Sequence, residues 1–147
     1  AHMAMSFDSY MKDMVKPMRE DLTRLGITEL LTPEQVEEAI EKSKDGTMLL
    51  VVNSVCGCAA GQCRPGVAKA LQNETVPTYT YTVFAGQEKD ATAKAREYLA
   101  PYPPSSPSIA LFKNGELAHF IQRHQIEDRS ADMIAGDLIG AFEQYCK

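Results

Sequence analysis

Apolar residues recur at three- and four-residue spacing through Phe7, Tyr10, Met11, Met14, Val15, Met18, Leu22 and Leu25, which predicts an amphipathic helix running to Gly26 with that stripe in the core. Pro17 falls within it and predicts a kink or a restart, because proline lacks an N–H and crowds the carbonyl four residues back. Thr32-Pro33-Glu34-Gln35 reads as a capping box with proline at the first helical position. It opens a short helix that ends by Gly46, with Glu34, Glu37, Glu38 and Glu41 as a solvated face. The next stretch, residues 47–53, behaves differently. Its run Met48-Leu49-Leu50-Val51-Val52 is short, aliphatic and without alternation, the pattern of a strand buried on both faces.

Beyond that strand, residues 67–71 read as helix, with Pro65 setting its start or bending it. Residues 78–84 alternate in composition and are rich in strand formers. Residues 88–99 have helical character, and the four prolines of residues 100–107 predict a stiff loop. Residues 109–112 and 117–121 form strands joined by Asn114-Gly115, a strong hairpin signal. A last helix covers residues 130–145, with Ile134, Leu138 and Phe142 four residues apart. The fold class is therefore α/β, a four-stranded mixed sheet flanked by helices, with extra N-terminal helices ahead of the first strand. Its β-α-β half should be parallel with a right-handed crossover.

Composition narrows the class. A chain of 147 residues with 44% hydrophobic and 24% charged content suits one domain with one core, expected over residues 6–147. Ala1-His2-Met3 resembles an expression-vector remnant with the native start at Met3 or Met5, so residues 1–5 are taken as a disordered start and His2 enters no chemical argument. No apolar run approaches the length of a membrane span and no secretion signal is apparent, which makes the cytoplasm the expected compartment and a membrane partner unexpected. A net charge of −5 with no basic stripe argues against nucleic acid.

The candidate chemistry is thiol chemistry. Cys56 and Cys58 flank Gly57 where a strand hands over to a helix, and unpaired N–H groups with the helix dipole favour thiolate there. Two cysteines so close can form a disulfide only in a tight turn, which Gly57 would allow, and the small ring should be labile. The plain alternative is that both are small buried hydrophobes. Four cysteines, three of them within eight residues and Cys146 near the end, do not form a disulfide framework. Cys63 has three readings: a buried small residue, which is preferred, a second resolving thiol, or a metal ligand. Cys146 is expected to be uninvolved. His119 and His124 are read as structural or surface residues, and Tyr79, Tyr81 and Tyr102 are explained by packing as well as by a groove.

The element order, with a cysteine motif after the first core strand and a proline just before the hairpin, resembles the thioredoxin fold. That resemblance implies a cis Ser106-Pro107 bond facing the reactive cysteine. A closer resemblance, to the bacilliredoxin family, rests on Val52-Asn53-Ser54-Val55-Cys56-Gly57-Cys58-Ala59-Ala60-Gly61, Thr82-Val83-Phe84-Ala85-Gly86-Gln87, Pro103-Pro104-Ser105-Ser106-Pro107-Ser108, and His119-Phe120-Ile121 with Arg123-His124. It implies a cytosolic thiol-disulfide oxidoreductase that removes bacillithiol from S-bacillithiolated proteins, with disulfide isomerase activity also ascribed to relatives. On that pattern Cys56 is the nucleophile and Cys58 the resolving thiol. Gly57, Arg64, Ser106 and Pro107 would contact substrate, bacillithiol is a co-substrate, and no cofactor or metal is required. Arg64 is also a candidate helper in activating Cys56. Two rivals remain: a metal or iron–sulfur protein using Cys56, Cys58 and Cys63, disfavoured by the missing fourth ligand, and a redox-sensing module without turnover.

Overall fold

The strand Thr47–Asn53 (β2) is buried at every one of its seven positions, as a run without polar alternation requires. In the computed structural model, which describes residues 6–147, β2 forms the middle of the sheet. It pairs parallel with Tyr79–Phe84 (β3) and antiparallel with Ser108–Lys113 (β4). Glu116–Ile121 (β5) returns along β4 through a turn in which Asn114 and Gly115 take φ of 53° and 84°. The expectations for residues 1–5 lie outside the described residues.

The expected four strands are corrected to five. Thr28–Glu29 (β1) pairs parallel with β3 at Tyr81 and Thr82, giving the order β1-β3-β2-β4-β5. Two residues carry no periodic signal, so nothing in the sequence marks this strand. Its position is fixed from outside, by the Leu30 N–H donating to the Thr82 carbonyl at 2.8 Å. One consequence is that Pro33–Lys42 (α2), expected as an extra helix, instead connects β1 to β2. Thr32 caps it as expected, its hydroxyl accepting from the Gln35 N–H, while the Gln35 side chain accepts from Leu31 N–H.

The first helix, Phe7–Thr23 (α1), continues through the exposed Pro17 without ending there. Its stripe packs over only part of its length: Val15 and Leu22 are buried, but Phe7 is 73% and Tyr10 55% exposed. The second half is the part tied down, because the Met18 carbonyl accepts from Asn53 and Arg19 pairs with Glu29 and Glu88.

Alternation along β2 divides the interior in two. Leu49 and Val51 face a cluster with Leu22, Ile109, Leu111, Ile121 and residues of Arg64–Ala70 (α3) and Ala131–Tyr145 (α6). Met48, Leu50 and Val52 face a second cluster with Val36 and Ile40 of α2 and with Ala91 and Ala95 of Lys89–Glu97 (α4). A short helix absent from the sequence reading, Arg123–Glu127 (α5), follows β5 and buries Ile126 in the first cluster.

Candidate active site

Asn53, the last residue of β2, fixes where the chain turns out of the sheet. Its side-chain oxygen accepts from the Ser54 N–H and from Arg64 Nη1, each at 2.9 Å, and its amide nitrogen donates to the Met18 carbonyl at 3.2 Å. Arg64 Nη1 donates also to the Ser54 carbonyl at 2.9 Å, and its Nε to Asp21 at 3.0 Å. The expected substrate contact by Arg64 is therefore corrected. The guanidinium is 4% exposed, spends these donors on the chain itself and braces the turn from behind.

Cys56 follows that braced turn. Its carbonyl accepts from the N–H groups of Ala59 and Ala60, and its own N–H donates to the Ser54 hydroxyl at 3.3 Å. The helix begins at Gly57, earlier than residue 67, and passes through a π turn, Ala59–Cys63, before α3. The widened turn sits just ahead of Pro65, whose ring cannot lie over the carbonyl four residues back in an ordinary α turn. Gly57 does not have the positive φ that would demand glycine, and a side-chain carbon built there meets nothing within 4 Å. Its contribution is an exposed, uncrowded position beside the pair.

The two thiols are unlike each other. Cys56 and Cys58 are free and half-buried, and their sulfurs lie 2.8 Å apart. Burial is the largest influence on Cys56 and pushes its pKa up. Hydrogen bonds from the Cys58 thiol, the Ala59 N–H, the Ser54 hydroxyl and the Cys58 N–H together outweigh it, leaving Cys56 below the ordinary thiol value. Burial also pushes Cys58 up, and with the hydrogen bond it donates to Cys56 and the charge there, Cys58 reaches about 11. One thiol is set to ionise and its neighbour to hold the proton.

Two further segments enclose the pair. Ser108 pairs with Val52, so Pro107 comes level with Asn53 at the end of β2, and the Ser106-Pro107 bond is cis as the resemblance implied. The Ala100-Pro101 bond is cis as well. Ser106 presents its carbonyl to Arg123 Nη1 at 3.2 Å. From the other side, Gln62 Nε2 reaches the carbonyls of Ile126 and Glu127, each at 3.2 Å. The unanticipated α5 thus joins the cysteine helix to the Pro107 loop. A signal for it was present: Gln122 and Gln125 form a reciprocal cap at its start.

The other candidates lie apart. Cys63 is fully buried and desolvation pushes its thiol up to about 12, consistent with a small core residue. Cys146 is half-buried near Thr47, at the opposite end of β2 from the pair. His119 bonds to Asp137 at 2.6 Å, which also takes Arg129, while His124 is exposed. Tyr81 is buried in the second cluster, Tyr79 packs against it, and Tyr102 meets Phe120 edge-on. Among the described residues no group of three or more His, Cys, Asp or Glu side chains is placed to hold a metal ion, and no helix is long and apolar enough to cross a membrane.

Residues 10–146 match a family model described as disulphide isomerase. A bacilliredoxin of Halalkalibacterium halodurans is 53% identical over 145 residues, covering 99% of this chain and 100% of the relative. A bacilliredoxin of Salinibacter ruber is 55% identical over 138 residues, covering 93% and 81%. Among solved structures, thioredoxin O2 of Arabidopsis thaliana aligns with a TM-score of 0.60 at 18% identity, over 84% of this chain and 97% of that one. The thioredoxin of Fasciola hepatica gives 0.56 at 19%, over 81% and 99%. These structures establish a thioredoxin-like fold.

Proposed function

This chain belongs to the bacilliredoxin family and is a thiol-disulfide oxidoreductase; from that premise we propose that it removes bacillithiol from S-bacillithiolated proteins in the cytoplasm. The observation that carries the mechanism is the inequality of two sulfurs 2.8 Å apart, Cys56 held below the ordinary thiol range and Cys58 at about 11.

The Cys56 thiolate attacks the bacillithiol sulfur of the mixed disulfide, the protein thiolate leaves, and bacillithiol is now bonded to Cys56. Cys58, once deprotonated, attacks Cys56; the bond to bacillithiol breaks and a Cys56–Cys58 disulfide forms. Two electrons have then passed from the pair to the substrate, and two equivalents of thiol restore the dithiol. In an alternative exit a second bacillithiol attacks the first and leaves Cys56 reduced. Gly57 leaves room at the pair, and the Ser106-Pro107 segment supplies one wall for the incoming disulfide. The sulfurs and a low-molecular-weight thiol suffice, so no bound cofactor enters the scheme. A second activity, disulfide isomerisation, is compatible with the same pair, because burial, the largest influence on Cys58, still favours its protonated form when Cys56 carries a protein and lets that mixed disulfide persist long enough to be rearranged.

The test is bacillithiol release from a labelled mixed-disulfide protein. Cys56→Ser should reduce release at least a hundredfold, and Cys58→Ser should accumulate the Cys56 adduct, visible as added mass, with partial turnover when bacillithiol is supplied. Equal release by all three proteins would reject the assignment.

A further inference from the structure

The resolving thiol has a problem that the attacking thiol does not. It must ionise to act, yet burial, the hydrogen bond it donates and the neighbouring Cys56 charge all hold its proton in place. Once Cys56 carries a mixed disulfide, the acceptor charge is gone and with it two of those influences. What remains is burial and the charges that face Cys58 from the elements around it.

Those charges come from α5. Arg123 and Glu127 lie four residues apart, joined by an Nε to Oε2 bond of 3.2 Å, and neither is buried: their side chains are 44% and 47% exposed. Arg123 is fixed to one wall of the site through the Ser106 carbonyl, and the carbonyl of Glu127 is fixed to the other through Gln62, four residues after Cys58. Cys58 itself packs against the cluster that contains Ile126 of α5. The titratable and charged groups facing Cys58 are therefore Cys56 on its own turn, Arg123 and Glu127 on α5, and Cys63 from the core behind it.

The geometry points to Arg123 as a positioning residue for the second half of the reaction: its guanidinium, pinned between the Pro107 loop and Glu127, stabilises the Cys58 thiolate that expels the thiol from Cys56, and Glu127 restrains it. Arg123 touches no reacting atom in this role. It acts through the field it places on a sulfur, and its bond to Ser106 holds it at that place. Arg123 faces Cys56 as well as Cys58, but attack by Cys56 depends less on α5, because four hydrogen bonds from its own turn also stabilise that thiolate. The two charges of α5 also act on Cys58 with opposite sign, the Arg123 field lowering its pKa and the Glu127 field raising it. The inference rests on the assignment of Cys56 as nucleophile and Cys58 as resolving thiol, but not on bacillithiol as the thiol expelled.

The experiment uses a neutral disulfide, so that substrate charge plays no part. Reduced full-length protein is mixed with bis(2-hydroxyethyl) disulfide, quenched with acid at intervals, and weighed by mass spectrometry across the neutral and alkaline range. Formation of the adduct reports attack, and its conversion to the Cys56–Cys58 disulfide reports resolution. In Arg123→Gln, resolution at neutral pH should slow about fivefold and its pH midpoint rise by about half a unit or more. In Glu127→Gln, resolution should quicken about twofold and the midpoint fall. Arg123→Lys, which keeps the charge, should stay within about twofold of the parent, and added salt should shrink all the differences. Midpoints that do not move, or that move the same way in Arg123→Gln and Glu127→Gln, would overturn the inference, since loosening of α5 alone cannot give opposite signs. Failure of the parent to form the Cys56–Cys58 disulfide would overturn this and the assignment of the pair together.

Discussion

The two faces of the sheet are built from the same strands but by different rules. Over Met48, Leu50 and Val52 lie α2 and α4, and α2 is a regular helix with a side-chain cap, proline at its first turn and a polar outer face. Over Leu49 and Val51 lies the cysteine helix, which begins without a side-chain cap on its α segment, widens into a π turn, buries an arginine and encloses a thiol. The first face is optimised for packing. The second gives up helix regularity so that two sulfurs and a row of N–H groups stand at the end of β2, and its irregularities are offset by Arg64, Asn53 and Asp21.

Removing equal apolar volume from each face sharpens this contrast. Ile134→Ala and Ile40→Ala should each cost about 2–5 kcal/mol in denaturant unfolding. Only Ile134→Ala should also slow thiol exchange per folded molecule, because Ile134 lies against Gly66 of α3, where an added carbon would come within 2.8 Å of it. Exchange falling equally in both would erase the distinction.

Removal of the brace tests the same idea at the mouth. Arg64→Met fills similar volume but leaves the Asn53 side-chain oxygen and the Ser54 carbonyl short of a donor, at a cost of about 3 kcal/mol. Alkylation of Cys56 should slow as its turn loosens. A stable variant with unchanged Cys56 reactivity would show that the brace does not govern the pair.

A more gradual effect, small per pH unit, comes from pH. The folded Cys63 thiol stands at about 12, above the ordinary thiol value near 9, so between them the unfolded chain releases a proton that the folded chain keeps. Its contribution is complete below the unfolded value and stability is then lost as pH rises, by about 1.4 kcal/mol per pH unit from this thiol. Cys63→Ala should flatten the alkaline fall in stability measured by urea unfolding; an unchanged slope would place the thiol in contact with water.

Legibility in the sequence followed the physics of each element. β2, the hairpin at Asn114-Gly115 and the Thr32 cap were readable because each rests on local periodicity, a left-handed turn or a side chain bonding three residues on. β1 was not, since a two-residue strand exists only by pairing with β3. The exposed start of α1 was misread because an apolar stripe reports what a helix offers, not whether a partner surface extends that far. At the site, Cys56 and Cys58 were legible as a motif. Arg64 was singled out as a substrate contact and a helper of Cys56, but its burial behind the turn was not legible, and Arg123, quoted only within a resemblance, was given no role.

By itself, then, the sequence determined the kinds and order of the longer elements and the chemistry available, because periodicity, turn residues and two cysteines around a glycine are properties of neighbours along the chain. Which thiol ionises, which arginine braces the turn and which one faces the pair were decided only when β2, the Pro107 loop and α5 came together. Burial and charge act through space over a few ångströms, and residues 56, 64, 106 and 123 reach that range only in the folded molecule.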